Sequence, residues 1–534
     1  MYSLPQSYNQ TSKCKRCISS NAYDDFGDLG LTDNGEGKRS IDSWHSRYRI
    51  LSYFGRLNYD YKGKYLLSGV FRQDGYSSLL GDNRWGFFPG VSAGWIFGKE
   101  EFVQEKLPVL SFGKLRASYG LNGNASGIGA YTLQGSYNST KYNGNTGFLI
   151  GTLPNPALRW EKTRTFEVGM DLSFFSNRLN ANFTYYDRLT MDKYASLSLP
   201  STTGFSSITN NNGKFSNRGV EIELSGKIIQ TKDFLWDMKA NISYNKNKVI
   251  ALPDNGLLNN RQNGQQIYTG RINPDGTYET VFVGGYQEGQ TPGVLVGYVA
   301  EGIYKSVEDI PSDLVVTSGN AQGKYQYGPG AWAALTDAQK KNAIELKPGD
   351  VKWKDINGDG KIDSYDQVVL GNTTPKWTGG FNTTLQWKGF TLYGRFDFAL
   401  GYWIYDQTTP WFLGCMQGTY NTTTEVFDTW SESNQNAKYP RYVYADQLGA
   451  GNYNRTSSLF AYKGNYLAIR ELSLSYSLPS SIAEKIYCKK LDVSVTGQNL
   501  GYLTAAPVAS PEVSSAGAGY ALPRTLLFGV NLTF

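Results

Sequence analysis

The chain has 534 residues, of which 14% are aromatic and only 18% are charged, and it contains 60 glycines and carries a formal net charge of +6. A charge this mild, without a run of Lys or Arg, argues against nucleic acid as a partner. The single histidine, His45, leaves no histidine-based catalytic set, and no nucleophile–base pair is evident, so we predict that the protein is not an enzyme.

Most of the polarity comes from uncharged side chains, because the mean hydropathy is −0.42 although charged residues are few. Such a mixture with many aromatics is typical of a transmembrane β-barrel, which needs a lipid-facing apolar surface, a polar lumen and polar loops. A soluble β-sandwich array or a β-rich adhesin shares this composition, so composition alone does not separate these classes.

The cysteines do not indicate a metal or redox site. Cys14 and Cys17 form a lone C-x-x-C, while Cys415 and Cys488 stand alone, and we interpret all four as inert. No apolar run reaches the roughly 18 residues of a membrane-spanning helix. Residues 1–20 lack the apolar core of a signal peptide. Either the membrane hypothesis is wrong, or the chain lacks its natural start.

Strict alternation of apolar and polar residues predicts strands along most of the chain. Phe166, Val168 and Met170 alternate with Glu167 and Gly169, as half-buried strands do. The thirteen predicted strands are 48–60, 64–73, 85–97, 112–121, 163–175, 178–189, 215–227, 235–246, 378–387, 390–400, 462–478, 490–499 and 525–534.

The predicted connections alternate in length. Short links include tight turns at Ser176-Asn177 and Lys388-Gly389, which have favourable turn chemistry. The long links are 74–84, 122–162, 190–214, 247–377, 401–461 and 500–524. Outer-membrane barrels have short periplasmic turns and long extracellular loops, whereas soluble sandwiches have no reason to alternate in this way. The pattern predicts an all-β, antiparallel transmembrane barrel in the outer membrane, in contact with its lipid.

The predicted organisation is that of an incomplete barrel. Residues 1–47 are assigned to an extracellular loop remnant, and 48–534 to the C-terminal part of a barrel with a long extracellular loop at 247–377. An odd strand number implies that an earlier strand is missing, because bacterial single-chain barrels have an even number. The last strand ends on Phe534 and carries Phe and other apolar residues on one face.

Ordered segments from Tyr53 to Phe534 resemble the SusC/RagA family of TonB-dependent transporters. The segments are FGRLNYDYKGKYLLSGVFRQDG (54–75), RWGFFPGVSAGW (84–95), KLRASYGLNGN (114–124), PNPALRWEKTRTFEVGMDLSFF (154–175), NGKFSNRGVEIEL (212–224), GDVKWKDINGDGKIDSYDQVVLGNTTPKWTGGF (349–381), YLAIRELSLSYSLP (466–479) and PRTLLFGVNLTF (523–534).

The resemblance implies import of oligosaccharides or peptides across the outer membrane. It implies a SusD-like surface lipoprotein over the extracellular mouth and energy from the TonB complex through an N-terminal TonB box. It also implies a plug inside a 22-stranded barrel. Signal peptide, TonB box, plug and early strands are not found in this sequence, so we expect about 13 strands of the full wall. The alternative is a non-transporting adhesin or structural outer-membrane protein.

One chemical motif stands out at 355–366, within the longest predicted loop. It follows D-x-[DN]-x-[DN]-G and resembles an EF-hand or dockerin-type calcium loop, because calcium prefers six to eight hard oxygen ligands. The predicted ligands are Asp355, Asn357, Asp359, the backbone carbonyl of Lys361, Asp363 and Asp366. The alternative is an Asx-rich turn whose side chains cap their own backbone amides. Trp403, Trp411, Phe412 and Trp430 in the next loop either stack on sugar rings or pack structurally.

Overall fold

The computed structural model describes residues 6–13, 45–143, 145–317, 323–414, 421–446, 450–512 and 522–534. Fourteen strands form one main sheet and hydrogen-bond to each other in chain order. They are β1 Gln6–Lys13, β2 His45–Tyr61, β3 Tyr65–Tyr76, β4 Trp85–Trp95, β5 Leu110–Asn124, β6 Glu161–Phe174, β7 Leu179–Ser198, β8 Ser207–Gln230, β9 Phe234–Ala251, β10 Trp377–Trp387, β11 Phe390–Leu400, β12 Tyr466–Ser477, β13 Lys490–Thr504 and β14 Thr525–Thr533.

The thirteen predicted strands correspond to β2–β14, which confirms the all-β antiparallel prediction. The assignment of 1–47 to a loop remnant is wrong for Gln6–Lys13, which pairs antiparallel with β2 from Gln6↔Ser52 to Lys13↔His45. This strand is polar throughout, so it carries no apolar alternation that could predict it. Residues 1–5 and 14–44, with Cys14 and Cys17, lie outside the described residues.

Several strands are longer than predicted, and β7 and β8 show the largest extensions. β7 extends to Ser198 and β8 begins at Ser207, so the predicted loop 190–214 shrinks to a short connection. The added start of β8, residues 207–214, is polar apart from Ile208, so it has no apolar face that could indicate a strand. The tight turns at Ser176-Asn177 and Lys388-Gly389 are confirmed, since all four residues have φ between 44° and 90°.

The connections contain short elements of their own. The further strands are Ser136–Tyr142, Asn145–Thr152, Gln265–Ile272, Tyr278–Val283, Val294–Tyr298, Ala300–Ile303, Val315–Val316, Tyr325–Tyr327, Ala343–Glu345, Val351–Trp353, Lys361–Ile362, Gln367–Asn372, Trp403–Tyr405 and Ala461–Lys463. The α-helices are Glu101–Lys106, Pro329–Ala333, Asp337–Lys340, Thr408–Gly414 and Ser480–Ala483. No helix in the described part of the chain is long and apolar enough to cross a membrane.

The chain divides into two compact units. The first contains residues 1–177, 181–220 and 247–260, and the second contains 178–180, 221–246 and 261–534. In the first unit, the row Tyr59↔Leu67↔Ala93↔Ala117↔Val168 crosses β2–β6 on an apolar face. In the second unit, the row Leu385↔Leu392↔Leu474↔Val495↔Phe528 crosses β10–β14 in the same manner. Each unit therefore contains a part of the main sheet that has an apolar face.

A carboxylate anchors one of the short turns in the first unit. Glu100 accepts hydrogen bonds from Lys64 Nζ at 2.9 Å, Tyr65 Oη at 3.0 Å and Trp95 Nε1 at 3.1 Å. The hydrogen bond from Lys64 is the largest of the effects that lower the pKa of Glu100 from 4.5 to about 2. A lowered carboxyl pKa contributes stability above the unfolded pKa, and that stability is lost as the pH falls through the folded pKa.

We therefore expect the thermal midpoint of the wild type to fall between pH 4.5 and pH 2, and Glu100→Gln to remove part of that dependence. The matched control is Glu101→Gln, which changes the exposed neighbour and should leave the dependence intact. Thermal unfolding across this pH range tests it; identical slopes for wild type and Glu100→Gln would contradict the expectation.

Candidate functional site

The first unit carries a polar row opposite its apolar face. Asn58, Ser68, Ser92, Ser118 and Glu167 are directly paired across β2–β6. Ser68 Oγ donates to Asn58 Oδ1 at 2.7 Å. Small hydroxyl side chains in the middle of this row leave space above the sheet and offer donors and acceptors to a polar ligand.

Charged side chains on the polar face of the first unit are held by partners. Arg188 Nη2 lies 2.9 Å from Glu167 Oε1. Arg116 pairs with Asp171 at 3.2 Å and also donates to the hydroxyl of Thr184. Arg56 donates from Nε to Asn58 Oδ1 at 3.0 Å. These contacts orient the guanidinium groups, so the face presents fixed rather than freely rotating charges.

Two cavities of about 500 and 490 Å³ lie over this face. Both are lined by Arg56, Ser68, Ser92, Ser118 and Glu167. Their size falls within the range of small-molecule sites. Apolar residues such as Leu66 and Ala93 in the first cavity and Val70 and Phe88 in the second complete a mixed polar and apolar lining.

In the second unit a β-bulge directs the side chain of Arg470 toward two carboxylates. The pairing of β12 skips Arg470, since Arg395 pairs with Glu471 while Phe396 pairs with Ile469. Arg470 binds both oxygens of Asp397, with Nη2 2.8 Å from Oδ2, and also contacts Glu512. Bulges commonly re-aim a side chain in this way.

Sequence reasoning missed Arg470, although the sequence carries a signal for it. Leu467 and Ile469 occupy odd positions, whereas Leu472 and Leu474 occupy even positions. An apolar alternation that changes phase within one strand needs an extra residue to keep both halves on the same face. The phase change at Arg470 therefore marks the bulge.

Two long connections in the second unit fold together into what we call the loop platform, defined as the described residues of 294–372 and 401–465. Tyr298 N donates to Thr456 O at 2.9 Å, and Ser458 N donates back to Tyr298 O at 2.9 Å. A buried apolar cluster includes Tyr298, Trp353 and Ile362, with Leu459 packed against it. The predicted loop 247–377 thus contains a hydrophobic core of its own.

A buried polar network joins the two segments of the loop platform. Asp350, 1% exposed at its side chain, accepts from Arg441 Nε at 2.6 Å and from Asn452 Nδ2 at 2.8 Å. Asn452 Oδ1 accepts in turn from Val351 N at 2.9 Å. Asp446 accepts from the amides of Asn452 and Tyr453, and burial raises the pKa of its carboxyl to about 6. A buried network of this kind specifies one arrangement of the segments that it joins.

The predicted calcium segment lies within the loop platform, and its acidic side chains bind backbone amides. Asp355 accepts from Gly358 N at 2.7 Å and from Gly360 N at 2.9 Å. Asp359 accepts from Lys361 N and Asp363 from Tyr365 N, both at 2.8 Å.

The end of the segment is buried. Asp366 accepts from Ile356 N and Asp363 N, both at 2.7 Å, and burial raises its pKa to about 6. Asn357 accepts from Asp359 N at 3.3 Å, and Lys361 lies in a two-residue strand paired with Val315–Val316.

The oxygen chemistry of this segment fits calcium, but its arrangement matches the Asx-turn alternative. Within the described ranges, no group of three or more His, Cys, Asp or Glu side chains is placed to hold a metal ion. A carboxylate that accepts two amide hydrogens still has further lone pairs for a cation. Calcium binding therefore stays a prediction.

If calcium binds at 355–366, a concentration tenfold above the dissociation constant is expected to stabilise the protein by about 1.4 kcal/mol. EDTA should reverse the shift in melting temperature, and Asp359→Asn should weaken it. The matched control is Asp309→Asn, because Asp309 caps the amides of Lys305 and Ser306 outside the segment. Calorimetric titration without heat at millimolar calcium, together with an EDTA-insensitive melting curve, would rule the site out.

The loop aromatics divide between packing and exposure. Trp403 packs against the cluster around Tyr405 and Phe460. Trp411 is 43% exposed and its ring meets Phe412 edge-on at 5.2 Å. Cys488 is buried with a free thiol, and Cys415 lies outside the described residues.

An amphipathic antiparallel sheet with alternating short and long connections is the architecture of a membrane β-barrel wall. Residues 6–500 match the family described as "TonB dependent receptor-like, beta-barrel". The chain belongs to this family, whose members are located in the outer membrane.

Named relatives agree with this assignment. The chain is 29% identical over 510 residues to "TonB-dependent receptor P3" of Formosa agariphila, covering 92% of this chain and 46% of that protein. It is 28% identical over 513 residues to "TonB-dependent receptor SusC" of Bacteroides thetaiotaomicron, covering 93% and 45%. These relatives are named as receptors rather than enzymes, and the resemblance to SusC/RagA proteins is confirmed.

Solved structures show the same fold. The chain superimposes with a TM-score of 0.68 on the "RagAB peptide transporter", at 23% identity, covering 95% of this chain and 50% of that one. The chain spans about half the length of the curated relatives that it matches.

Proposed function

We propose that this chain forms part of the wall of an outer-membrane, TonB-dependent importer of oligosaccharides or peptides. The observation that carries the proposal is the polar face of the first unit, with its row of hydroxyl side chains and oriented ion pairs beneath two cavities. An apolar face on the same strands suits contact with outer-membrane lipid. The family to which the chain belongs supports uptake powered by the TonB complex.

The loop platform supports the second part of the proposal, a SusD-like lipoprotein partner on the extracellular side. Its segments are joined by buried hydrogen bonds and a hydrophobic core, so they form a firm surface rather than separate mobile loops. A firm surface loses less conformational entropy when a partner docks. The relative named SusC and the RagAB structure make a lipoprotein of this type the partner to test first.

Two measurements test the proposed function. Cells that carry the natural gene should accumulate a fluorescent oligosaccharide or peptide library, and a protonophore should abolish accumulation because it removes the energy source. An affinity-tagged chain should recover a SusD-like lipoprotein from detergent-solubilised outer membranes. Accumulation that ignores the protonophore would contradict TonB-driven import.

The alternative, a non-transporting adhesin or structural outer-membrane protein, is separated by the same assays. An adhesin would bind ligand at the surface without accumulation, and recovery of the lipoprotein would not accompany it. The comparisons offer this alternative no support, because the relatives named above are receptors and a transporter.

A further inference from the structure

Two short turns, one in each unit, share the same arrangement of a lysine beside an aromatic ring. Both have the order aromatic–Lys–Gly, as Tyr61-Lys62-Gly63 in the first unit and Trp387-Lys388-Gly389 in the second. The Lys62 ammonium lies 5.3 Å from the ring centre of Tyr61. The Lys388 ammonium lies 5.5 Å from the ring centre of Trp387.

The lysines adopt a backbone conformation that disfavours them. Lys62 has φ of 55° and Lys388 has φ of 44°, both in the left-handed region. A residue with a long side chain is strained there, whereas Gly or Asn is accommodated more readily. An observed backbone outlier is a reason to ask what its side chain does.

The surroundings leave both ammonium groups available. Lys64 is committed to Glu100 at 2.9 Å, and Lys99 donates to Gly63 O at 3.0 Å. Within the described ranges, neither Lys62 nor Lys388 forms an ion pair. Each lysine thus ends in solvent-facing positive charge beside an exposed aromatic ring.

Each turn continues directly into an exposed apolar surface. Tyr61 and Tyr65 are about half exposed beside the first turn, and Trp387 and Phe390 are similarly exposed beside the second. Leu67 and Leu392 extend these surfaces along the strands. A ligand that satisfies both features must carry a negative charge attached to an apolar chain.

We propose that these turns bind the headgroups of anionic phospholipids in the periplasmic leaflet. The inference rests on the proposed function, because short turns face the periplasm in an outer-membrane barrel. The aromatic ring sits at the level of the headgroup and the lysine reaches the phosphate, as amphipathic side chains do at a membrane interface. A free phosphate would use the ammonium but not the apolar surface.

Tryptophan fluorescence tests the inference at the second turn. The chain, in phospholipid vesicles, is compared with its Trp387→Phe variant so that the difference isolates the emission of Trp387. Brominated phosphatidylglycerol and brominated phosphatidylcholine then serve as quenchers. A lysine near an anionic surface favours the anionic lipid roughly fivefold, so brominated phosphatidylglycerol should quench Trp387 more strongly.

Lys388→Asn should abolish this preference, because Asn tolerates the backbone conformation and lacks the charge. Lys388→Arg should retain it. The matched control is Lys340→Asn, since the Lys340 ammonium lies 5.6 Å from the ring centre of Trp332 in the loop platform rather than in a turn. The same pair of variants at Lys62, with Trp95 as the probe, tests the first turn.

The outcomes distinguish failure of the headgroup inference from failure of the proposed membrane location. Equal quenching of Trp387 by both lipids, or a preference that survives Lys388→Asn, overturns the headgroup inference and leaves the proposed membrane wall standing. No quenching of Trp387 by either brominated lipid overturns the proposed membrane location itself. A preference lost in Lys388→Asn but kept in Lys388→Arg supports the inference.

Discussion

Replacing Arg441 with methionine is expected to destabilise the loop platform by about 3 kcal/mol or more, because it leaves the buried carboxylate of Asp350 without its cationic partner. Asp350 is 1% exposed at its side chain and receives two hydrogen bonds from Arg441, at 2.6 and 3.3 Å. Asn452 Nδ2 and the amide of Lys347 remain as donors but carry no compensating charge. Hydrogen exchange of amides in 294–317 and 450–460 should increase accordingly.

A double-mutant cycle sharpens this test. Asp350→Asn combined with Arg441→Met removes both charges, so the double variant should recover part of the loss of the single Arg441 variant. The matched control is Arg395→Met, whose ion pair with Glu471 at 3.5 Å is 54% exposed on the arginine side. An exposed pair contributes about 0.2–1 kcal/mol. Equal losses for Arg441→Met and Arg395→Met would contradict the assigned role of the network.

The Arg441→Met variant also tests where the SusD-like lipoprotein docks, in the recovery experiment with the affinity-tagged chain. If the loop platform is the surface for the SusD-like lipoprotein, Arg441→Met should reduce recovery of that lipoprotein while Arg395→Met leaves it unchanged. Equal recovery of the lipoprotein with both variants would show that it does not dock on the loop platform.

Replacing Leu472 with arginine is expected to cost on the order of 2–4 kcal/mol when the protein folds into lipid. Leu472 pairs with Gly394 and Gly497 on the apolar face of the second unit, between rows that contain Phe396 and Leu474. A charge there must leave water or drag water into the hydrocarbon region. Denaturant titration in phospholipid vesicles measures the difference.

The matched control changes the adjacent residue on the other face. Ser473 donates to or accepts from Thr496 across the strands at 2.7 Å, so Ser473→Arg loses about 1 kcal/mol of hydrogen bonding and places the charge on the polar side. Similar costs for Leu472→Arg and Ser473→Arg would show that the apolar face does not contact lipid. A large cost for Leu472→Arg alone supports the assigned orientation of the sheet.

Much of the sheet could be predicted because its determinants are local. A strand with one apolar face repeats every two residues, so Phe166, Val168 and Met170 identify β6 without knowledge of its neighbours. The turn at Lys388-Gly389 is equally local, since two residues with positive φ suffice to reverse the chain. β1 could not be predicted in this way, because Gln6–Lys13 is polar and its pairing with β2 is its main distinguishing feature.

The polar sites could not be predicted in the same way, because their residues lie far apart along the chain. Asp350 and Arg441 are 91 positions apart, and no sequence pattern at either position predicts their contact. The motif at 355–366 was visible in the sequence, yet its carboxylates bind their own backbone amides, and calcium binding there stays a prediction. The bulge at Arg470 lies between these cases, because the change of phase is local while Asp397 and Glu512 are not.

The sequence by itself determined the strand pattern, the alternation of short and long connections and the membership of the SusC/RagA-like family, since alternation and ordered motifs are properties of neighbouring residues. Only the tertiary structure decided that 294–372 and 401–465 form one loop platform, which charges are buried as partners, and that lysines lie over aromatic rings in two short turns. Those features require segments or side chains to meet in space, and the free energy of burying a charge is determined by the partner it meets there.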